Sequence, residues 1–498
     1  MEVNQPSFGV PIGLQYRLSI ADAVPSSHNI AQFLASNASD FTPSNNTVRI
    51  NVSSGAFLDL KNAVLEFDLK NTTNTDAIRL DGGAGCVINR VRILSSDGSE
   101  IERLDSYNLL DAVIDQYTAS EGDARIKSAQ KGAPRFSDDT PAFDEVVGTS
   151  GAAALTATAA ASPYETGITA TVVNTYTGST GQTTVKLSGT GGIGYDPRQA
   201  DVLNTGITRH YSFGLKCGFF NPSTAKLLPP NTPFQLEITL GQAADCLVNL
   251  AGSNAVNYQL NNVELHIPAV VVNDPNYMAM VNQRLNQGIS YKCNSYDHFV
   301  NTTASGAGKD VIQISARARS LKGLMTVLKK QSKVSSDDDY KLSKRSIQYV
   351  SDYQYKVGSQ NYPVDKVNLS TDLTAGGTYS GGRIPFQTTN NLNIAEAYNH
   401  ALRLFGSLNL ANANIKIGQE AFAQSENANN NGAGILAINL SSFSDGSVNS
   451  GLNTLNNLPV SLEFTKSAAC NAILQVDSFS IKELIVMRSA NGVLSSMS

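Results

Sequence analysis

A chain of 498 residues with 37 Lys and Arg against 42 Asp and Glu carries a formal charge of −5, which leaves no positive field with which to hold nucleic acid phosphates. Only 16% of residues are charged while 132 are Asn, Ser or Thr, so the surface is built from neutral hydrogen-bonding side chains, unlike the Lys- and Glu-rich surface of a typical cytosolic enzyme. The length fits two or three domains, and an apolar share of 41% with 18 Tyr, 18 Phe and no Trp excludes disorder of the whole chain and suits packed β-structure.

Residues 1–44 read as an N-terminal arm. Met1 to Ile20 holds no apolar run of signal-peptide length, and no stretch of the chain reaches the roughly 18 apolar residues that cross a bilayer; synthesis in the cytosol and a soluble product are the expectation. Phe8, Val10, Ile12, Leu14 and Tyr16 are spaced by two, which predicts a strand or extended arm laid against a neighbour. The arm lacks the Lys/Arg face of a membrane-surface helix or of an RNA-threading segment.

Strict alternation then begins. Val48, Ile50 and Val52, then Leu65, Phe67 and Leu69, then Val91 and Ile93 alternate with polar residues, the pattern of half-buried strands. From Asp105, a plausible N-cap, Leu110, Val113, Ile114 and Tyr117 follow helical spacing. Residues 147–195 read as an inserted loop rich in Ala, Thr and Gly, its alternating Thr169, Thr171, Val173 and Thr175 suiting exposed β-hairpins, with 150–161 open between hairpin and irregular chain. Strand alternation returns at Phe234 to Leu240 and Val263 to Ile267, completing a first unit over 45–272. A helix from Pro275 to Leu285, closed by Gly288, forms a linker over 273–289. A second unit spans 290–488, with strands at Ile312 and Ile314 and at Val460, Leu462 and Phe464, a helix from Ile394 to Phe405 closed by Gly406, and insertions near 329–345 and 376–391. Residues 489–498 are a tail.

The two units repeat one another. Pro233-Phe234-Gln235-Leu236-Glu237-Ile238-Thr239 is echoed by Pro459-Val460-Ser461-Leu462-Glu463-Phe464-Thr465, and each is followed by a small-residue stretch ending in Cys246 or Cys470. Glu264-Leu265 matches Glu483-Leu484, Tyr107-Asn108 matches Tyr398-Asn399, and Leu60-Lys61 matches Leu321-Lys322. The order is kept while the spacing varies, so the loops have grown independently. A repeat of this length is a duplicated domain and no solenoid unit. Each copy has room for about eight strands, which fits an all-β jelly roll of two Greek keys.

A search for chemistry yields no catalytic, cofactor-binding or metal residues. His28, His210, His266, His298 and His400 show no ligand spacing. The glycine-rich Asp81 to Gly85 is followed by a strand and no Lys-Ser/Thr pair, so it reads as a turn and no phosphate cradle. Asp337, Asp338 and Asp339 lack the alternate spacing of a calcium loop; flanked by Lys329, Lys330, Lys333, Lys341, Lys344 and Arg345, they read as a solvated loop of mixed charge. The five cysteines, Cys86, Cys217, Cys246, Cys293 and Cys470, are odd in number and scattered, and are expected as small buried thiols. Asn-x-Ser/Thr triplets such as those at Asn37 and Asn439 are explained by composition.

Taken together, two strand-rich copies with a helix in the same relative place, a helical linker and a neutral surface resemble the double jelly-roll major capsid protein of icosahedral double-stranded DNA viruses, most closely those of polinton-like viruses and virophages. Phe57 to Leu69 and the stretch from Ile347 through Tyr353-Gln354-Tyr355 to Tyr362-Pro363 are similar to strand stretches of that group, and the resemblance covers Asn45 to Met487. It implies two jelly rolls side by side, three chains in a pseudo-hexagonal homotrimer, neighbouring capsomers, penton and minor capsid proteins as partners, an internal membrane as a further candidate, no sequence-specific nucleic acid binding, and a place in the virion. By that analogy the insertions crown the outer surface and Met1 to Asp40 lies at the inner face or beneath a neighbour. The alternatives are a carbohydrate- or receptor-binding β-sandwich, against which the absence of Trp counts, and a cupin-like or glycosidase enzyme, which would need a histidine cluster or a convergent carboxylate pair. Glu237 and Glu463 sit at equivalent strand positions and read as duplicated structure.

Overall fold

The computed structural model describes residues 26–118, 121–134, 146–149, 171–177, 182–188, 200–223, 227–250, 255–286, 288–334, 340–347, 349–369, 394–406, 417, 422, 432–442, 450–456, 458–466, 470 and 472–498. Eight strands form a first barrel: β1 (Ser26–Leu34), β2 (Thr47–Val52), β3 (Val64–Asn71), β4 (Ile88–Ser95), β5 (Glu100–Asp105), β6 (Thr208–Phe213), β7 (Phe234–Leu240) and β8 (Tyr258–Val272). Eight more form a second: β9 (Ile289–Thr302), β10 (Gly308–Ile314), β11 (Leu321–Lys330), β12 (Val350–Val357), β13 (Gln360–Asn368), β14 (Leu436–Asn439), β15 (Val460–Lys466) and β16 (Leu474–Arg488). A closing strand, β17 (Leu494–Met497), pairs with β16.

The sheets of the first barrel run β1-β8-β3-β6 and β2-β7-β4-β5; those of the second run β9-β16-β11-β14 and β10-β15-β12-β13. Adding eight to each label turns one barrel into the other. This interleaved antiparallel order is the jelly roll, in which strands from one end of the sequence pair with strands from the other. Strands such as β2 and β3 bury alternate side chains between the two sheets of their barrel. Val48, Ile50, Val52, Leu65, Phe67, Leu69, Val91, Ile93, Leu462 and Phe464, all assigned inward by alternation, are buried, and one apolar core runs through both barrels.

Helix α1 (Tyr107–Thr118) follows β5, α2 (Glu121–Lys131) follows it directly, α3 (Pro275–Leu285) joins the barrels, and α4 (Ala395–Leu404) lies between β13 and β14. Helices α3 and α4 end at Gly288 and Gly406, both at positive φ, where a residue without Cβ turns the chain at no steric cost. The start of α1 differs from expectation. Asp105 ends β5 and its carboxylate accepts from Arg103 Nε at 2.8 Å, while Ser106, at φ 49, gives its carbonyl to Leu110 N–H and so stands at the cap.

The expected arm also differs. Ser26–Leu34 pairs along its whole length with Glu264–Val272 and is the first strand of the first barrel; Ile30 and Leu34 point outward and only Ala31 and Phe33 pack inward, so its alternation carries no amphipathic signal. The tail likewise contains β17. Within the inserted loop, Thr171–Thr177 and Gln182–Ser188 form an antiparallel hairpin, with Val146–Thr149 on its outer side; residues 150–161, the alternative left open, lie outside the described residues.

Candidate functional site

The feature with the densest long-range chemistry is the seam between the barrels. It begins at the glycine-rich turn. Gly82 and Gly83 take positive φ, and a Cβ on Gly85 would stand 2.2 Å from Asp111 Oδ2, so only glycine lets this turn press against α1 and present Asp81 beyond it. The Asp81 carboxylate accepts the backbone N–H groups of Lys341 at 2.5 Å, Leu342 at 2.6 Å and Ser343 at 3.0 Å, together with the Ser343 hydroxyl. Successive N–H groups converging on one anion form a nest, here occupied by an aspartate from the other barrel.

Around that nest the segment 340–347 is locked from both sides. Arg79 Nη1 donates to Tyr340 Oη at 2.8 Å, Lys341 Nζ to the Leu247 carbonyl at 2.8 Å, and Gln116 Nε2 to the Ser343 carbonyl at 3.1 Å. Tyr117 of α1 donates to the Ala433 carbonyl at 2.9 Å and stacks on Phe405. Arg345, fully buried, donates to the carbonyls of Ala433 and Leu342. The solvated reading of this loop is therefore corrected for its described part: Lys329, Lys341, Lys344 and Arg345 are buried, Lys341 and Arg345 reaching the carbonyls of Leu247 and Ala433 from distant parts of the chain and Lys344 lying over the Tyr340 ring. Asp337 to Asp339 lie outside the described residues.

A second contact joins the edge of β5 to β9. The buried Glu102 carboxylate accepts from Gly218 N–H at 2.9 Å, Phe219 N–H at 2.8 Å and Ser295 Oγ at 2.7 Å. Burial pushes this carboxyl above its ordinary range against the pull of those donors. Ser223 N–H donates to the Lys292 carbonyl, Tyr291 Oη to the Leu227 carbonyl, and Arg488 Nε to Thr232 Oγ1 at 2.7 Å. Leu494 N–H reaches Ser95 Oγ at 3.1 Å, so β17 straps the first barrel. A polar groove of about 570 Å³ follows this line, lined by Glu100, Arg103, Asp297, Arg317 and Lys482 among others.

The outer faces of the two matched sheets carry matched carboxylate clamps. Glu237 on β7 accepts from Arg49 Nε at 3.1 Å and Arg92 Nη1 at 2.9 Å, its cross-strand neighbours on both sides. Glu463 on β15 takes Lys309 at 2.5 Å and Lys356 at 2.7 Å. Hydrogen bonds from Lys309 and Lys356 pull the Glu463 carboxyl down to about 2; for Glu237, burial opposes Arg49 and Arg92, which prevail and hold it below the ordinary range. The two glutamates lie on different barrels, each saturated by cations, which is the duplicated structure expected of them.

The histidines are dispersed. His28 is exposed on β1, His298 lies 3.0 Å from Asp477 and packs on Phe479, and His400 lies 3.7 Å from Glu396. His210 and His266 both approach Glu66, a meeting across β3 that linear spacing does not show. Among the described residues no group of three or more His, Cys, Asp or Glu could hold a metal ion, and all five cysteines are buried and free. No described helix is long and apolar enough to cross a membrane.

No family model matches the chain, and no curated protein matches it. Solved structures do. A chain of the PBCV-1 virus capsid superposes at a TM-score of 0.56 and 10% identity, covering 96% of this chain and 99% of its own. The Faustovirus major capsid protein superposes at 0.53 and 9%, covering 95% and 92%. A chain in the 3.5 Å structure of the Sputnik virophage gives 0.53 and 11%, covering 100% and 92%. Coverage of this extent includes both barrels and their junction, so the likeness is to the pair. This chain has the double jelly-roll fold, matched along almost its whole length to chains of viral capsids.

Proposed function

We propose that the protein is the major capsid protein of an icosahedral double-stranded DNA virus, a structural subunit without enzymatic activity that resides in the virion. One observation carries the reading: the same eight-strand order occurs twice, and an extensive buried seam of hydrogen bonds joins the copies, which makes one chain a rigid tile of two similar units. Three such chains present six similar barrels, and a pseudo-hexagonal tile packs against six neighbours while the unequal loops tell its edges apart. On this reading the barrels are the two domains, the hairpin within the insertion over 147–195 crowns the outer surface, and penton and minor capsid proteins complete the shell; residues 1–25 of the expected inner-face segment Met1 to Asp40 lie outside the described residues.

Light scattering after size exclusion tests it. The expected species has three times the chain mass of 52.9 kDa, resists dilution, and forms shells visible by electron microscopy. A monomer that never assembles overturns the proposal, and specific glycan binding by that monomer would favour the receptor-binding alternative.

A further inference from the structure

The outer face of the sheet β1-β8-β3-β6 carries a line of ionisable side chains for which the shell role has no use. Outward positions put Glu264 and His266 on β8, Glu66 and Asp68 on β3, and His210 on β6, and the register sets Glu264 directly opposite Glu66. Like charges at such a pair push neighbouring strands apart. We infer that His210 and His266 make this face a proton-operated clasp, which ties the sheet of the first barrel together when the imidazoles are charged and loosens it when they are neutral.

The rings alternate with the carboxylates along the line. His266 stands between the two glutamates, with Nδ1 3.5 Å from Glu66 Oε1 and Nε2 3.0 Å from Glu264 Oε2. His210 stands between Glu66 and Asp68, with Nε2 3.6 Å from Glu66 Oε2 and Nδ1 2.9 Å from Asp68 Oδ1. Both nitrogens of both rings therefore face carboxylate oxygens. A neutral imidazole donates through one nitrogen only and turns a lone pair toward the second oxygen, whereas imidazolium donates through both. With neutral rings the line carries three negative charges, from Glu264, Glu66 and Asp68; with both rings protonated it carries one.

The other groups along the line are neutral or engaged elsewhere. Gln32 of the edge strand β1 donates to Glu264, Ser212 to Glu66 at 2.9 Å, and Asn262 to Asp68 at 2.8 Å. Arg209, beside His210, pairs with Asp201 at 2.6 Å, and Lys70 is the next outward residue of β3 beyond Asp68. Among the described residues, Glu66, Asp68 and Glu264 form ion pairs with the two histidines and with no lysine or arginine. The repeat makes the contrast plain. Glu483, which matches Glu264 in the second barrel, is held by Lys292 at 3.2 Å and Lys322 at 3.5 Å. Lysines keep their charge through pH 8, while imidazoles lose theirs between pH 5 and 8. Duplication has thus left a permanent clamp on one barrel and a titratable one on the other. Because the folded line offers each imidazolium two carboxylates that the unfolded chain does not, the stabilisation is complete at mildly acidic pH and is lost as pH rises through the imidazole range.

Urea midpoints of the full chain at pH 5.5 and pH 8.0, in low salt, test the clasp. In wild type the unfolding equilibrium constant is expected to be about tenfold larger at pH 8.0. The His210→Gln, His266→Gln double variant is expected to lose that difference, and His28→Gln, at an exposed position of β1 opposite Val270, to keep it. Glu66→Gln, which retains both rings, is expected to cross wild type. Its midpoint should be lower at pH 5.5, where each imidazolium loses a partner, and higher at pH 8.0, where the repulsion with Glu264 is gone; a purely structural Glu66 would lower both. Equal wild-type midpoints at the two pH values, a double variant that keeps the full difference, or Glu66→Gln below wild type at both pH values would each overturn the clasp. The Glu66→Gln comparison stands by itself if the double variant does not fold.

Discussion

Glu463 shows how a repeated residue keeps its place while its chemistry drifts. Its partners are lysines where those of Glu237 are arginines, and lysine offers a point charge where arginine offers a fork. Because its folded pKa is about 2 and the unfolded value is ordinary, its stabilising contribution is complete above the ordinary carboxylate pKa and is lost as pH falls through about 2. Denaturant titrations of wild type and Glu463→Gln are expected to differ at pH 6 and to converge toward pH 2; a constant gap across that range would refute the assignment. Asp81 makes a larger difference. Asp81→Ala strands three backbone N–H groups and a hydroxyl in a buried seam, and is expected to cost about 3 kcal/mol, read as a lower denaturant midpoint. Neither Asp81 nor Lys341 announces this role in the sequence. Their meeting joins residues 260 positions apart, and a charged run looks solvated until its distant partners are known.

At the scale of elements, legibility follows the strength of alternation. The matched strands β7 and β15 put four and three apolar residues on one face and a glutamate on the other, and so declare both their type and their equivalence. Strand β1 does not, because its outward face, with Ile30 and Leu34, is as apolar as its inward one, with Ala31 and Phe33. Helix α1 is legible by period but not by start, since Asp105 is held by Arg103 in the preceding strand. The stretch from Asp81 to Gly85 reads as a turn in the sequence, and its glycines serve close packing under α1. Gly85→Ala would drive Cβ into Asp111, whose carboxylate is held by the buried Lys131 at 2.7 Å and cannot swing away freely. A loss of about 2 kcal/mol is expected from such overpacking, and an unchanged melting temperature would show that the turn yields more easily than its contacts indicate.

The whole molecule is two barrels with one apolar core running through their junction, and this continuity decides how it unfolds. Two domains joined only by a linker would melt independently, whereas units sharing a buried polar seam lose that seam together. The seam has two separate anchors, the Asp81 nest beside α1 and Glu102 beside β9, and each satisfies several buried donors. Removing one leaves the other to couple the barrels; removing both leaves single hydrogen bonds such as Tyr117 to Ala433 and Arg488 to Thr232, with the linker α3 and the strap β17. Wild type should therefore unfold in one calorimetric transition, with fluorescence and circular dichroism following the same curve. The Asp81→Ala, Glu102→Ala double variant should split it into two, the earlier belonging to one barrel. A single transition in the double variant would place the coupling in the remaining hydrogen bonds and apolar contacts of the junction, and two transitions in wild type would mean that the polar seam does not bind the barrels into one folding unit.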